Sequence, residues 1–110
     1  MILRTIQKEV LNMNKLVRDK IPEFVTNAKF RKLNQDEILP ALKNKIVEEA
    51  NEVKDATSEE NLIEELADVY TVLKAFLDFK GITEEELLKV VNDKKAFKGD
   101  FSKFLFMEKS

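Results

Sequence analysis

Two pairs of acidic residues have a spacing that suits metal binding. Glu49 and Glu52 lie three residues apart, and Glu65 and Asp68 repeat that spacing further along the chain. Residues three apart in a helix lie close together on one face, and carboxylate oxygens are the ligands that hard divalent cations take. The spacing alone is a weak signal, because 21 of the 110 residues are acidic. Its ordinary interpretation is a solvated, salt-bridged helix face.

The placement of these carboxylates among apolar residues favours metal binding. At about 100° per residue, Glu49 and Glu65 each fall inside the apolar sector of a predicted helix, with Glu52 and Asp68 at the sector edges. Glu48 lies outside and is expected to be a solvated surface glutamate, with a role as a base or as a supporting group as the alternative. Buried carboxylates would have to be protonated, be neutralised by basic residues or hold a cation. We expect no Lys or Arg in either sector, so we predict a cation. The sectors comprise Leu39, Leu42, Ile46, Ala50 and Val53 in the first helix, and Leu62, Leu66, Val69, Val72, Leu73 and Phe76 in the second.

The elements that must position these side chains are helices. With only two Gly and two Pro, and with Leu, Glu, Lys and Ala abundant, the sequence predicts an all-α fold, an antiparallel bundle of four or five helices. Thr57 and Thr83 each begin a capping-box pattern, and Gly81 is a predicted helix end. Pro40 is expected either in the first turn of its helix or at the true start of that helix. The predicted helices cover residues 1–12, 22–28, 36–56, 57–80 and 83–95.

The composition excludes several function classes. The chain has no Cys and no His, which excludes thiol nucleophiles, disulfides, His-based triads and zinc sites built from Cys or His. Its net charge of −2 predicts no general affinity for nucleic acid. No apolar run approaches the roughly 20 residues of a membrane span. We therefore expect a cytoplasmic protein with no nucleic-acid or membrane partner.

The two ends of the chain carry separate expectations. Met13 offers a second possible start, so residues 1–13 are predicted to be an N-terminal extension and residues 14–110 a single domain. The segment from Phe97 to Met107 contains four phenylalanines and is too apolar to remain in water. We expect it to pack on the body or on a partner chain, and we expect a homodimer or homotetramer.

Three motifs in order resemble a known family. The pairs Glu49-x-x-Glu52 and Glu65-x-x-Asp68 resemble the metal motif of the MazG-like all-α nucleoside triphosphate pyrophosphohydrolases. The stretch KLVRDKIP at residues 15–22 resembles the opening of its phosphoribosyl-ATP pyrophosphohydrolase-like branch. The stretch KKAFKGDF at residues 94–101 is similar to the basic, glycine and phenylalanine element near that branch's C-terminus. Asp100 departs from it, standing where the branch often has a second glycine.

The resemblance implies a fold, an activity and a cofactor. It implies a Mg²⁺-dependent enzyme, with Mn²⁺ as an alternative, that cleaves a nucleoside triphosphate, including non-canonical ones, to the monophosphate and pyrophosphate in a house-cleaning role. The implied catalytic and metal ligands are Glu49, Glu52, Glu65 and Asp68. The candidate phosphate contacts are Lys15, Arg18, Lys20, Lys94, Lys95 and Lys98.

Two other functions remain open at this point. One is hydrolysis of phosphoribosyl-ATP itself, which uses the same chemistry on a phosphoribosyl-nucleotide substrate. The other is a non-catalytic helical module that binds nucleotides or regulates a partner. Metal dependence separates the enzymes from the module, and a substrate panel separates the two enzymes.

Overall fold

The computed structural model describes residues 14–110, and their regular structure is entirely helical. No strand is found in these residues, which confirms the all-α fold class. The expected four or five helices are not confirmed, because the described range holds three α-helices and one 3₁₀-helix. The helix expected over residues 1–12 lies outside the described residues. The observed elements are the 3₁₀-helix Ile21–Glu23, α1 Gln35–Lys54, α2 Glu59–Lys80 and α3 Glu84–Lys98.

The helix expected over residues 22–28 is much shorter in the structure. Only Ile21–Glu23 is helical, with Pro22 inside the single 3₁₀ turn. Phe24 and Val25 donate backbone hydrogen bonds to the Ile21 carbonyl, which closes the turn. The chain does not continue as a helix because the β-branched and short polar residues that follow, Thr26 and Asn27, favour other conformations.

Helix α1 begins earlier than expected, and Pro40 is not in its first turn. The helix starts at Gln35, so Pro40 is its sixth residue and withholds one backbone hydrogen bond. The helix start is stabilised by Glu37, whose carboxylate accepts a hydrogen bond from the Asn34 backbone N–H at 3.0 Å. Arg31 donates two further hydrogen bonds to the same carboxylate, at 2.9 and 2.7 Å.

The residue that caps helix α2 lies one position later than the sequence predicted. Ser58, rather than Thr57, caps the helix, and its hydroxyl accepts a hydrogen bond from the Asn61 backbone N–H at 3.0 Å. The Asn61 side chain accepts another from the Thr57 N–H at 3.1 Å. The expected end at Gly81 is confirmed, because Gly81 has a φ of 67° and follows the last helical residue, Lys80.

Helix α3 has the expected start and a later end. The Thr83 hydroxyl accepts a hydrogen bond from the Glu86 N–H at 3.0 Å, as the capping pattern predicts. The helix continues three residues past Lys95 to Lys98 and ends at Gly99, whose φ is 83°. A side chain is rarely tolerated at that backbone angle, so the glycine defines the end of the helix.

The described chain divides into two compact units, with the boundary inside α2 after Phe76. In the first unit, Ile21, Val25, Leu42 and Val72 are the buried apolar side chains. A connection of four residues, 55–58, joins α1 to α2, which makes them antiparallel neighbours. None of the helices in residues 14–110 combines the length and the hydropathy that crossing a membrane requires.

The second unit, Leu77–Ser110, has few buried side chains. Leu77 is buried, but most of the unit's apolar residues are exposed in the single chain, with Phe101 at 90% and Met107 at 94%. The packing expected for the segment from Phe97 to Met107 is therefore not found within this unit. An exposed apolar segment of this length favours contact with a partner.

Glu37, at the start of α1, is expected to make the stability of the fold depend on pH. Hydrogen bonds from Arg31 and from the Asn34 backbone lower the pKa of Glu37 to about 2, from an ordinary value of 4.5. Because the folded pKa is the lower one, the stabilisation is complete above pH 4.5 and is lost as the pH falls towards about 2.

We therefore expect Glu37→Gln to lower the melting temperature at neutral pH and to have no effect near pH 2. Glutamine keeps an acceptor for the Asn34 N–H but removes the charge that pairs with Arg31. Arg31→Gln should show the same pH profile. Melting curves of the three proteins across this pH range are the measurement, and a difference that does not change with pH would contradict the assignment.

Candidate metal centre

Glu49 is the most buried charged side chain of α1. The helix buries Leu42, Lys45 and Glu49, which are spaced three and four residues apart and so share one face. Glu49 is 2% exposed, as its place in the apolar sector predicted. Ala50, which was expected on the same face, is exposed instead. The buried face of α1 is therefore rotated from the predicted sector towards its charged residues.

Helix α2 shows the same rotation more strongly. Its inward residues next to α1 include Asn61 and Glu65, which are buried, and Asp68, which is half-buried. Leu62 and Leu66, both expected in the core, are 38% and 49% exposed. The helix thus directs polar groups towards α1 and leaves part of its apolar stripe on the surface.

Three of the four predicted carboxylates meet between α1 and α2, in the contact region that we call the seam. One carboxylate oxygen from each of Glu49, Glu65 and Asp68 lies within 4.8 Å of the other two. We call these three residues the carboxylate cluster. Glu52, the fourth predicted ligand, is half-buried and is not part of the cluster.

The donor set fits a hard divalent cation. Oxygens that bind one Mg²⁺ ion lie no more than about 4 Å from one another, because each is about 2.1 Å from the metal. The three oxygens of the cluster, which lie within 4.8 Å of one another, would have to move closer together to bind the ion. A set of three carboxylates suits Mg²⁺ or Mn²⁺ and lacks the Cys or His ligands that zinc favours.

Lys45 lies beside the carboxylate cluster, although no basic residue was predicted there. Lys45 is only 8% exposed, and its Nζ lies 3.4 Å from Glu49 Oε1 and 3.4 Å from Glu48 Oε2. The expectation that the apolar sector contains no basic residue was wrong. Lys45 is four residues before Glu49, so its methylene groups pack on the buried face while its ammonium reaches the carboxylate.

Glu48 is an ion-paired residue, not the solvated surface glutamate that was expected. Its Oε1 accepts a hydrogen bond from Lys15 Nζ at 2.7 Å, and Lys45 approaches its Oε2. Burial opposes its ionisation, but the hydrogen bond from Lys15 and the charge of Lys45 outweigh burial, so the pKa of Glu48 lies below its ordinary value. Glu48 is therefore a carboxylate at neutral pH.

Arg18 contacts a member of the cluster directly. Its Nη2 donates to Asp68 Oδ1 at 2.6 Å and lies 3.4 Å from Thr71 Oγ1. Together with Lys15, it places two of the predicted phosphate contacts beside the carboxylates. Lys20, from the same segment, is exposed.

The other predicted phosphate contacts belong to the second unit. Lys94 and Lys98 are exposed and one turn apart on α3, so they share a face. Lys95 Nζ lies 3.7 Å from Asp100 Oδ2. The backbone N–H of Ser102 donates to Asp100 at 3.0 Å, and this contact lowers the pKa of Asp100.

Two residues of the seam escaped the sequence analysis but had a detectable signal. Lys45 precedes Glu49 by four residues and Asn61 precedes Glu65 by four, the spacing at which helical side chains meet. Asn61 Nδ2 donates to Glu65 Oε1 at 3.3 Å. Scanning for partners at that spacing would have found both residues.

The sequence matches the family described as phosphoribosyl-ATP pyrophosphohydrolase over residues 10–95, most of the chain. The chain belongs to the phosphoribosyl-ATP pyrophosphohydrolase family. This family is part of the MazG-like all-α nucleoside triphosphate pyrophosphatase superfamily, as the motifs indicated. Comparisons with curated proteins and with solved structures gave no match.

Membership of the phosphoribosyl-ATP pyrophosphohydrolase family establishes the class of reaction. The protein is a pyrophosphohydrolase, a hydrolase that acts on phosphoric anhydrides. Members of the family typically need a divalent metal, and the carboxylate cluster offers oxygen ligands of the required kind.

The buried Lys45 is expected to stabilise the fold. Lys45→Met keeps the methylene packing but removes the ammonium that lies 3.4 Å from Glu49, so we expect the free energy of unfolding to fall by about 3 kcal/mol. Magnesium should recover part of this loss, because a cation in the cluster replaces the missing charge.

Lys43→Met is the matched control, since Lys43 is exposed on the same helix. We expect it to change stability by less than about 0.5 kcal/mol. Urea unfolding with and without magnesium provides the measurement. Equal stability of the two variants would show that Lys45 does not compensate the buried carboxylate.

Proposed function

We infer that the protein is a Mg²⁺-dependent pyrophosphohydrolase that cleaves a nucleoside triphosphate, including non-canonical ones, to the monophosphate and pyrophosphate. The observation that carries this proposal is the carboxylate cluster, three oxygens within 4.8 Å of one another between α1 and α2. A house-cleaning role in the cytoplasmic nucleotide pool would use this reaction to remove unwanted nucleotides.

The cluster supplies the proposed ligands of Mg²⁺ or Mn²⁺. Glu49 and Glu65 are held in place by burial, and Asp68 lies at the more open side. Glu52 follows Glu49 by one turn and is proposed as a supporting ligand. When bound, the cation supplies electrostatic stabilisation of the phosphates and activation of water.

Basic side chains beside the cluster are proposed to bind the substrate phosphates. Lys15 and Arg18 bring positive charge within hydrogen-bonding distance of Glu48 and Asp68. A guanidinium group matches the paired oxygens of a phosphate, so Arg18 is suited to orient it. Lys20 on the same segment, and Lys94, Lys95 and Lys98 on α3, remain proposed phosphate contacts. Phosphoryl transfer depends mainly on such positioning and electrostatics.

Phosphoribosyl-ATP is a second candidate substrate. The observation that favours it is the family match itself, whose description names that compound. Both candidates are cleaved at the same α–β phosphate linkage and release pyrophosphate. Phosphoribosyl-ATP carries an additional phosphoribosyl group on its base, away from the α–β linkage. The catalytic residues alone therefore do not separate the two candidates.

The first test is the release of pyrophosphate. We expect pyrophosphate, not orthophosphate, as the primary product in the presence of magnesium or manganese, followed by phosphorus NMR. Asp68→Asn should lower kcat by about 100-fold, because it removes a ligand charge from the cluster. Asp78→Asn, the same change at an exposed position of α2, should leave kcat unchanged.

The same assay decides between the remaining functions. Phosphoribosyl-ATP is compared with canonical and damaged nucleoside triphosphates, and the highest kcat/KM identifies the substrate class. Absence of pyrophosphate from every compound, with either metal, would favour the non-catalytic nucleotide-binding module.

We also propose that the chain assembles as a homodimer or homotetramer. Helix α2 exposes Leu66 at 49% and Tyr70 at 58%, and the second unit exposes Phe101 at 90%. Surface apolar side chains in this number favour burial against another copy. Obligate homodimers commonly use such apolar faces.

Light scattering on the intact protein measures this assembly. We expect a dimer or tetramer for the wild type and for Asn51→Lys, which places a charge at an exposed polar position of α1. Leu66→Lys should shift the distribution towards monomer, since it puts a charge in the apolar face. A wild-type monomer at micromolar concentration would end the proposal.

A further inference from the structure

Arg18 forms an ion pair with Asp68, a carboxylate that the proposed function assigns to a metal ion. Its Nη2 lies 2.6 Å from Asp68 Oδ1 and 3.4 Å from Thr71 Oγ1. Asp68 is the least buried member of the carboxylate cluster. A guanidinium group therefore contacts a proposed metal ligand directly.

The setting of Arg18 differs from the settings of Lys45 and Lys15. Lys45 is buried within α1 and pairs with Glu49 on its own helix. Lys15 pairs with Glu48, which is outside the cluster. The Arg18 side chain is 48% exposed and reaches Asp68 from a separate segment. Exposed pairs of this kind contribute little stability, so this contact is the one most readily exchanged.

We propose that Arg18 is exchanged between Asp68 and the substrate phosphate, and that metal binding drives the exchange. Without a cation, Arg18 neutralises Asp68. When Asp68 takes a divalent cation, the two positive charges repel, and the guanidinium group is released to bind a phosphate oxygen pair. The inference rests on the proposed function, because it requires a metal at the cluster.

The exchange gives the chain a built-in coupling between metal and phosphate. Arg18 opposes metal binding in the absence of substrate, and it strengthens phosphate binding once the metal is present. By linkage, phosphate binding must then tighten metal binding by the same factor. The structure thus assigns Arg18 a role that neither a purely structural ion pair nor a permanent phosphate contact would have.

The first arm of the test is titration calorimetry with magnesium alone. We expect Arg18→Gln to bind magnesium about two- to fivefold more tightly than the wild type, since a competitor of typical exposed-pair strength is removed. Lys15→Gln removes the same charge beside Glu48 and should have a smaller effect. Arg31→Gln, whose arginine pairs with Glu37, should have none.

The second arm follows the guanidinium group directly by nitrogen NMR. The Arg18 signal, identified by its loss in Arg18→Gln, should move on addition of magnesium. It should move again on addition of inorganic pyrophosphate, the product for either candidate substrate. These readouts do not depend on turnover, and the signal of a merely structural ion pair would not move with magnesium and then again with pyrophosphate.

The outcomes separate the exchange from the proposed function. No magnesium or manganese binding by the wild type would overturn the metal site and the exchange together. Metal binding that is unchanged or weaker in Arg18→Gln would overturn the exchange alone, because Arg18 would then not compete for Asp68. A signal that moves with magnesium but not with pyrophosphate would overturn the transfer to phosphate.

Discussion

The packing of α1 against α2 requires that two glutamates be buried between them. An unpaired buried carboxylate costs several kcal/mol, on the order given for charges removed from water. The chain offsets this cost with Lys45 beside Glu49 and with the Asn61 amide, which donates to Glu65. Burial of these groups turns both helices, so that leucines of α2 face outward. The exposed apolar surface is thus a consequence of the same constraint.

Internal neutralisation changes how metal binding should be understood. Had the carboxylates faced one another without cations, a metal would have relieved a large repulsion. Instead Lys45 and Arg18 already neutralise part of their charge. Binding a divalent cation is then an exchange of positive charges, and its net free energy is the difference between two favourable arrangements. Of these two cations Arg18 is the more exposed, so we expect it to be displaced first.

Local signals in the sequence predicted the elements well, and longer-range signals predicted the site in part. The caps at Thr83 and Gly81 follow from side-chain and backbone chemistry within a few residues, which sequence contains fully. Glu49 and Glu65 were expected in the seam and are buried there. Helical angles did not predict the rotation of the apolar face, because the partner helix decides it. Lys45 lies about 40° from Glu49 around the helix, nearer than Glu52, so the sequence contains the signal for its burial even though no basic residue was expected in that sector.

Asp100 shows how a departure from a family pattern can be structural. Gly99 has a φ of 83°, so its place in the motif is explained by the chain reversal that ends α3. The Asp100 carboxylate accepts a hydrogen bond from the Ser102 N–H, a contact typical of aspartate in turns. It also lies 3.7 Å from Lys95. The negative charge is therefore used within the turn and by one lysine. That lysine is less suited to a phosphate than Lys94 or Lys98, although all three belong to the same basic motif.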